Sequence, residues 1–125
     1  MAKNVPKISN SEWRLMKILW DKSPITANEV VATLAETTEW KPKTVKTLLN
    51  RLVNKKALGF KKRGRTYHYF PLVSKTDCTQ AERRSFLARI YDGSLKPMLA
   101  AFIKDEELST EDIEELKQIL ERKNP

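Results

Sequence analysis

The chain carries one cysteine, Cys78, in 125 residues. A lone thiol cannot close an intrachain disulfide. Without a CxxC pair or a Cys/His cluster, no structural zinc site is expected either. Such sparing use of cysteine fits a reducing, intracellular compartment. There are only three glycines, and neither a GxGxxG nor a P-loop pattern occurs. The longest apolar run is MLAAFI at 98–103, far short of the roughly 18 residues a membrane span needs. The opening stretch, MAKNVPKISNSEW, has no apolar run, so no signal peptide is expected. Together these features predict a cytoplasmic protein with no membrane insertion. The single histidine, His68, stands beside tyrosines in a strand-like stretch. Pairing it with Cys78 as base and nucleophile would require an orienting acid and an oxyanion hole, and nothing near either residue supplies them. No catalytic residue, cofactor or metal ligand is expected, and the chain does not read as an enzyme.

A further absence is local. Between Glu39 and Asp77 there is no acidic residue, yet eleven Lys or Arg fall there. Residues 1–73 hold 15 Lys and Arg against 5 Asp and Glu, a net of +10. Residues 74–125 hold 9 against 11, a net of −2, which accounts for the overall +8. Ordinary solvated surfaces mix both signs. Exclusion of acid over such a length predicts a surface made to lie against phosphates.

What is present is mostly helical periodicity. Ser9 with Glu12 forms a capping box for a first helix ending near Trp20, with Trp13, Met16, Leu19 and Trp20 on one face. Thr26 with Glu29 starts a second, carrying Ala27, Val30, Val31 and Leu34. After TTEWKP, Pro42 suits the first turn of a third helix, with Lys41 at a cap position to which Lys is poorly suited. Two short strands, about Leu58–Lys62 and Thr66–Phe70, flank a turn at Arg63-Gly64. Three helices followed by a basic hairpin predict a winged helix-turn-helix over 1–73.

The remainder, 74–125, reads as three helices. Their apolar faces carry Phe86, Ile90, then Leu95, Met98, Leu99 and Phe102, then Ile113, Leu116 and Leu120. About 50 residues bury little by themselves. A second copy of the chain is the simplest cover, so a homodimerisation unit is expected there. The predicted class is therefore mainly α: a winged helix plus a three-helix dimerisation unit.

In the third helix, Val45, Leu48, Leu49, Leu52 and Val53 follow the i, i+3, i+4, i+7, i+8 pattern and claim one side. Lys43, Thr44, Lys46, Thr47, Asn50 and Arg51 fall on the other. An α-helix fits the major groove of double-stranded DNA, where base edges present readable patterns. Lys43 and Lys46 can donate to guanine or phosphate, and Thr44 and Thr47 can bond at short range or pack on thymine methyls. Asn50 suits adenine or the rim, and Arg51 suits a backbone phosphate. Lys62, Arg63 and Arg65 at the hairpin tip suit phosphate or minor-groove contact. Trp13, Trp20 and Trp40 read as core anchors. A reading from another class is a protein-interaction module whose basic half binds nucleic acid without sequence preference.

The chain also resembles the BlaI/MecI repressors. The resembling residues are ISNSEWRLMKILW at 8–20, ITANEV at 25–30, WKPKTVKTLLNRLVNKKAL at 40–58, RTYHYFPLV at 65–73, SFLARIYDGSLKPMLAAF at 85–102 and ELSTEDIEELKQIL at 107–120. The resemblance implies a homodimer that binds inverted-repeat operators and blocks transcription, with Lys43, Thr44, Lys46, Thr47 and Arg51 on the recognition helix. It also implies release by a membrane sensor-protease pathway that ends in cleavage between an Asn and a Phe of the dimerisation unit. The matching pair here is Ala101-Phe102, with Ala in place of Asn. Lys41 stands where the family tends to have Ser, and as an added cation it is expected to contact phosphate. The C-terminus, ILERKNP, lacks the cysteine cluster of the related copper-responsive repressors.

Overall fold

A computed structural model describes residues 5–124. They form α1 (Asn10–Asp21), β1 (Ile25–Thr26), α2 (Ala27–Ala35), α3 (Pro42–Asn54), β2 (Leu58–Arg63), β3 (Thr66–Pro71), α4 (Lys75–Tyr91), α5 (Leu95–Asp105) and α6 (Thr110–Arg122). The chain divides into two compact units, one ending at Glu82 and the next beginning at Arg83. The expected boundary after residue 73 lies upstream of this division, which falls inside α4. The first turns of α4 contribute Cys78 to the core of the first unit, and a buried side chain binds its segment to that core.

In the first unit both expected capping boxes form. Glu12 N donates to Ser9 Oγ at 3.2 Å and Ser9 N to Glu12 Oε1 at 2.8 Å. Glu29 N donates to Thr26 Oγ1 at 3.2 Å, with Thr26 N returning to Glu29 Oε1 at 3.2 Å. α3 begins at Pro42, and Lys41 makes no side-chain cap bond. The core is Leu15, Met16 and Leu19 of α1, Val30 and Leu34 of α2, and Val45, Leu48, Leu49 and Leu52 of α3, closed by Leu58 and Tyr69 of the sheet. Trp13, Trp20 and Trp40 pack against it half-buried. The Trp13 and Trp20 rings lie 5.5 Å apart, and Trp20 Nε1 donates to Val73 O at 2.9 Å.

The wing is a sheet of order β1-β3-β2, all antiparallel. Its third strand was not expected. β1 has two residues, Ile25 opposite Tyr69 and Thr26 opposite His68, and two residues are too few to show a period of two. The hairpin turn is Gly64-Arg65, one residue later than predicted, since Arg63 still pairs with Thr66. Gly64 has φ +63° at the first central position, the arrangement of a II′ turn, where glycine carries no steric cost. Gly59 permits a close approach as well: a Cβ there would lie 2.9 Å from Phe70 Cζ.

Glu12 is more than a cap. It is 1% exposed. Lys55 Nζ, one residue past α3, donates to Glu12 Oε1 and to Lys7 O at 2.9 Å. Burial alone would push the Glu12 carboxyl up. The Lys55 ammonium and the Ser9 N–H and hydroxyl outweigh it, so Glu12 titrates below its ordinary 4.5. Lys55 thus ties the end of α3 to the start of α1.

α4 starts within the first unit, where Asp77 N donates to Ser74 Oγ at 3.0 Å. Asp92 (φ 52°) and Gly93 (φ 83°) then end α4, with Gly93 N donating back to Leu87 O at 3.0 Å. Ser109 and Asp112 form a capping box at the start of α6. The Phe86 and Phe102 rings stack at 6.2 Å.

Lys55→Ala strands a buried carboxylate. It is expected to cost about 1–3 kcal/mol in urea unfolding at neutral pH, a value reduced because the Lys55 side chain is 36% exposed. In the native protein the Glu12 contribution is fully present above 4.5 and is lost as pH falls through the lowered value. Unfolding curves collected down to acid pH should show that loss in the native protein and its absence in Lys55→Ala.

Candidate nucleic-acid interface

Burying Val45, Leu48, Leu49 and Leu52 fixes the rotation of α3 about its axis. Lys43, Thr44, Lys46, Thr47, Asn50 and Arg51 are consequently all exposed, as is Lys41 ahead of them. The helix has no acid in its first turn and a basic residue, Arg51, in its last. Thr47 Oγ1 donates its proton to Lys43 O at 2.9 Å. That hydroxyl is therefore spent as a donor, and its methyl and acceptor lone pairs are what it offers outward.

On the wing, Lys62, Arg63 and Arg65 are exposed around the turn. Strand alternation sorts them. Lys62 lies opposite Tyr67 and Phe60 opposite Tyr69, so these four share one face. The Phe60 and Tyr67 rings are 4.8 Å apart, and Lys62 Nζ sits 5.9 Å from the Tyr67 ring centroid. Arg65 at the turn, Lys46 and Asn50 of α3, and Thr26, Ala27 and Asn28 at the start of α2 line one open cleft with Thr66, Tyr67 and Tyr69. Two candidate groups separated by fourteen residues of sequence, Arg51 of α3 and Arg65 of the wing, belong to elements that this fold joins. Asn28, Thr66 and Tyr67 were not among the sequence candidates. Periodicity marks them only as polar or aromatic, and their common cleft exists only once the hairpin folds back.

Other groups are not part of this surface. Lys55 belongs to the acid-free stretch, yet its ammonium is turned to Glu12 and Lys7. Cys78 is 2% exposed. Burial, and then the neighbouring Asp77 charge, push its thiol up, the reverse of an activated nucleophile.

Of the residues expected at a dimer contact, Phe86 and Met98 are half-buried, while Ile90, Leu95, Leu99, Phe102, Ile113, Leu116 and Leu120 are exposed. Ile103 and Ile119 add to the apolar exposure. Ala101 is half-buried in α5. Among the described residues no helix is long and apolar enough to cross a membrane.

An acid-free helix face beside a basic wing, carried on a three-helix core, defines a winged-helix DNA-binding protein. Comparison with known proteins gives the particular family. Residues 8–122 match the family model described as "Penicillinase repressor". The chain is 43% identical over 119 residues to the penicillinase repressor of Bacillus licheniformis, covering 95% of this chain and 93% of that one. It is 33% identical over 117 residues to the methicillin resistance regulatory protein MecI of Staphylococcus aureus, covering 94% and 95%. Among solved structures it is similar to the Bacillus licheniformis BlaI monomeric form in complex with the blaP half-operator. That match has a TM-score of 0.53 and 42% identity, over 61% of this chain and 93% of that chain. The chain belongs to the penicillinase repressor family of transcriptional repressors.

Cys78 is expected to react with an aromatic disulfide reagent at least about a hundredfold more slowly in the native protein than in denaturant, with the native rate climbing as pH rises toward its raised pKa. Rapid native labelling at neutral pH would contradict the burial described.

Proposed function

We propose that the protein represses transcription as a homodimer bound to inverted-repeat operators in double-stranded DNA, acting in the cytoplasm. One α3 enters the major groove of each half-site. Lys43, Thr44, Thr47 and Asn50 face base edges, and Lys41, Lys46, Arg51, Lys62, Arg63 and Arg65 take phosphates. The observation that carries this reading is the α3 face itself: every outward side chain from Lys43 to Arg51 is basic, hydroxyl or amide, on a helix whose other side buries Val45, Leu48, Leu49 and Leu52. Similarity to a repressor whose monomeric form was solved on a half-operator supports it.

Dimerisation is proposed through 74–125. Leu120 is 61% exposed, Ile90 54% and Phe102 48%, and apolar surface gathered in this way calls for a cover. Linking two DNA-binding units makes the second contact intramolecular and raises the effective concentration. Release is proposed to follow scission of α5 at Ala101–Phe102 through a membrane sensor-protease pathway. A cut there would divide the helix that carries Leu95, Met98 and Leu99 from Phe102 and α6. The protease would have to accept Ala where the resemblance places Asn.

Selection of tightly bound duplexes from a random pool should enrich an inverted repeat whose half-sites lie about one helical turn apart or somewhat more, with two protomers on each duplex. A pool that never converges would overturn the operator assignment. Within the selected site, Thr47→Val keeps the methyl and should retain any preference for a thymine methyl, whereas Thr47→Ser, which keeps only the hydroxyl already donating to Lys43 O, should lose it. Arg65→Ala should weaken all sequences alike and lower the log–log salt slope by about one.

A further inference from the structure

The open cleft between α2, α3 and the wing has a lining that helix periodicity did not anticipate. Lys46 and Arg65 bring positive charge, and Asn28, Asn50, Thr66 and Tyr67 bring neutral amide or hydroxyl groups, with no carboxylate among the lining residues. Tyr67 is 44% exposed. Its ring packs beside Phe60, at 4.8 Å between centroids, with the Lys62 ammonium 5.9 Å from the Tyr67 ring centroid. A ring packed against two neighbours offers its hydroxyl with little ordering cost on binding. The cleft adjoins the α3 face that the proposed function sets against base edges, and the elements flanking such a face meet the sugar-phosphate backbone.

From this lining we infer that the cleft seats one backbone phosphodiester of DNA in each half-site. The Tyr67 hydroxyl and the Asn28 amide serve as neutral donors beside the Lys46 and Arg65 cations. Tyr67 and Asn28 are then DNA contacts in their own right, additional to the basic residues of the wing. A neutral donor to a charged oxygen forms a strong hydrogen bond but releases no counterion. Affinity and salt dependence should therefore separate at these two positions, as they do not at Arg65.

The inference rests on the DNA-binding reading, and the test separates the two. Tyr67→Phe keeps the ring and its contacts and removes only the hydroxyl; Asn28→Ala removes the amide. Each should weaken binding to the selected operator about fivefold to tenfold at an unchanged salt slope, with native thermal stability. Ethylation interference should map one phosphate per half-site whose modification inhibits the native protein more strongly than it inhibits Tyr67→Phe, which has already lost one of the donors to that phosphate. Native sequence preference combined with unaltered affinity in both variants would overturn the seat and leave the operator reading intact. Absence of sequence preference in the native protein would overturn the reading beneath it. A free phosphate is the other source of the same chemistry, so inorganic phosphate is titrated at constant ionic strength. Saturable shifts at the Asn28 and Tyr67 resonances, with DNA affinity indifferent to Tyr67→Phe, would assign the cleft to a free anion and overturn the DNA contact.

Discussion

Everything on the proposed DNA face depends on how α3 is seated. Its apolar side chains, Val45, Leu48, Leu49 and Leu52, are buried against α1, α2 and the sheet. Fully burying one such side chain contributes about 1.5–3 kcal/mol, far more than any single surface charge contributes. The hydrophobic set therefore chooses the rotation of the helix, and the basic and hydroxyl residues follow. Acid exclusion from Glu39 to Asp77 matters because that rotation and the fold-back of the hairpin bring Lys46 and Asn50 of α3 and Arg65 of the wing to one open cleft.

A second constraint runs through Glu12 and Lys55. A carboxylate with 1% exposure is costly unless it is paired and bonded. Lys55 and the Ser9 cap meet most of that demand, although Glu12 Oε2 has no partner among the described residues. The consequence reaches the proposed interface. One of the eleven cations in the acid-free stretch is diverted to hold the end of α3, and charge counting alone overstates the phosphate-facing set. Pairing with Tyr67 treats Lys62 differently, since it stays exposed while its ammonium rests over a ring.

Much of this was legible in the sequence because it depends on local rules. The capping boxes at Ser9/Glu12 and Thr26/Glu29, Pro42 at the start of α3, and the apolar spacing of α3 each reflect contacts within one or two helical turns. What is not legible there depends on pairing between distant residues. The two residues of β1 become a strand only by lying against His68 and Tyr69. Glu12 looks like a cap until Lys55, 43 residues later, reaches it. The start of α4 contributes Cys78, which no pattern singles out, to the core of the first unit. The open cleft combines residues from α2, α3 and the wing, and no window of sequence contains all three.

The apolar faces of α5 and α6 were legible as well, and their exposure in a single chain makes the dimer the natural complement to the winged helix in this account. Its central claim is that an α3 face without acid reads sequence, beyond attracting phosphate. The most direct test is fluorescence anisotropy of the purified protein at near-physiological salt, comparing DNA from upstream of its own gene with a scrambled duplex of equal length. The account predicts a preference of about 10³-fold or more, with two protomers per duplex. Equal, strongly salt-dependent affinity for both duplexes, joined to failure of a random pool to yield an inverted repeat, would contradict it.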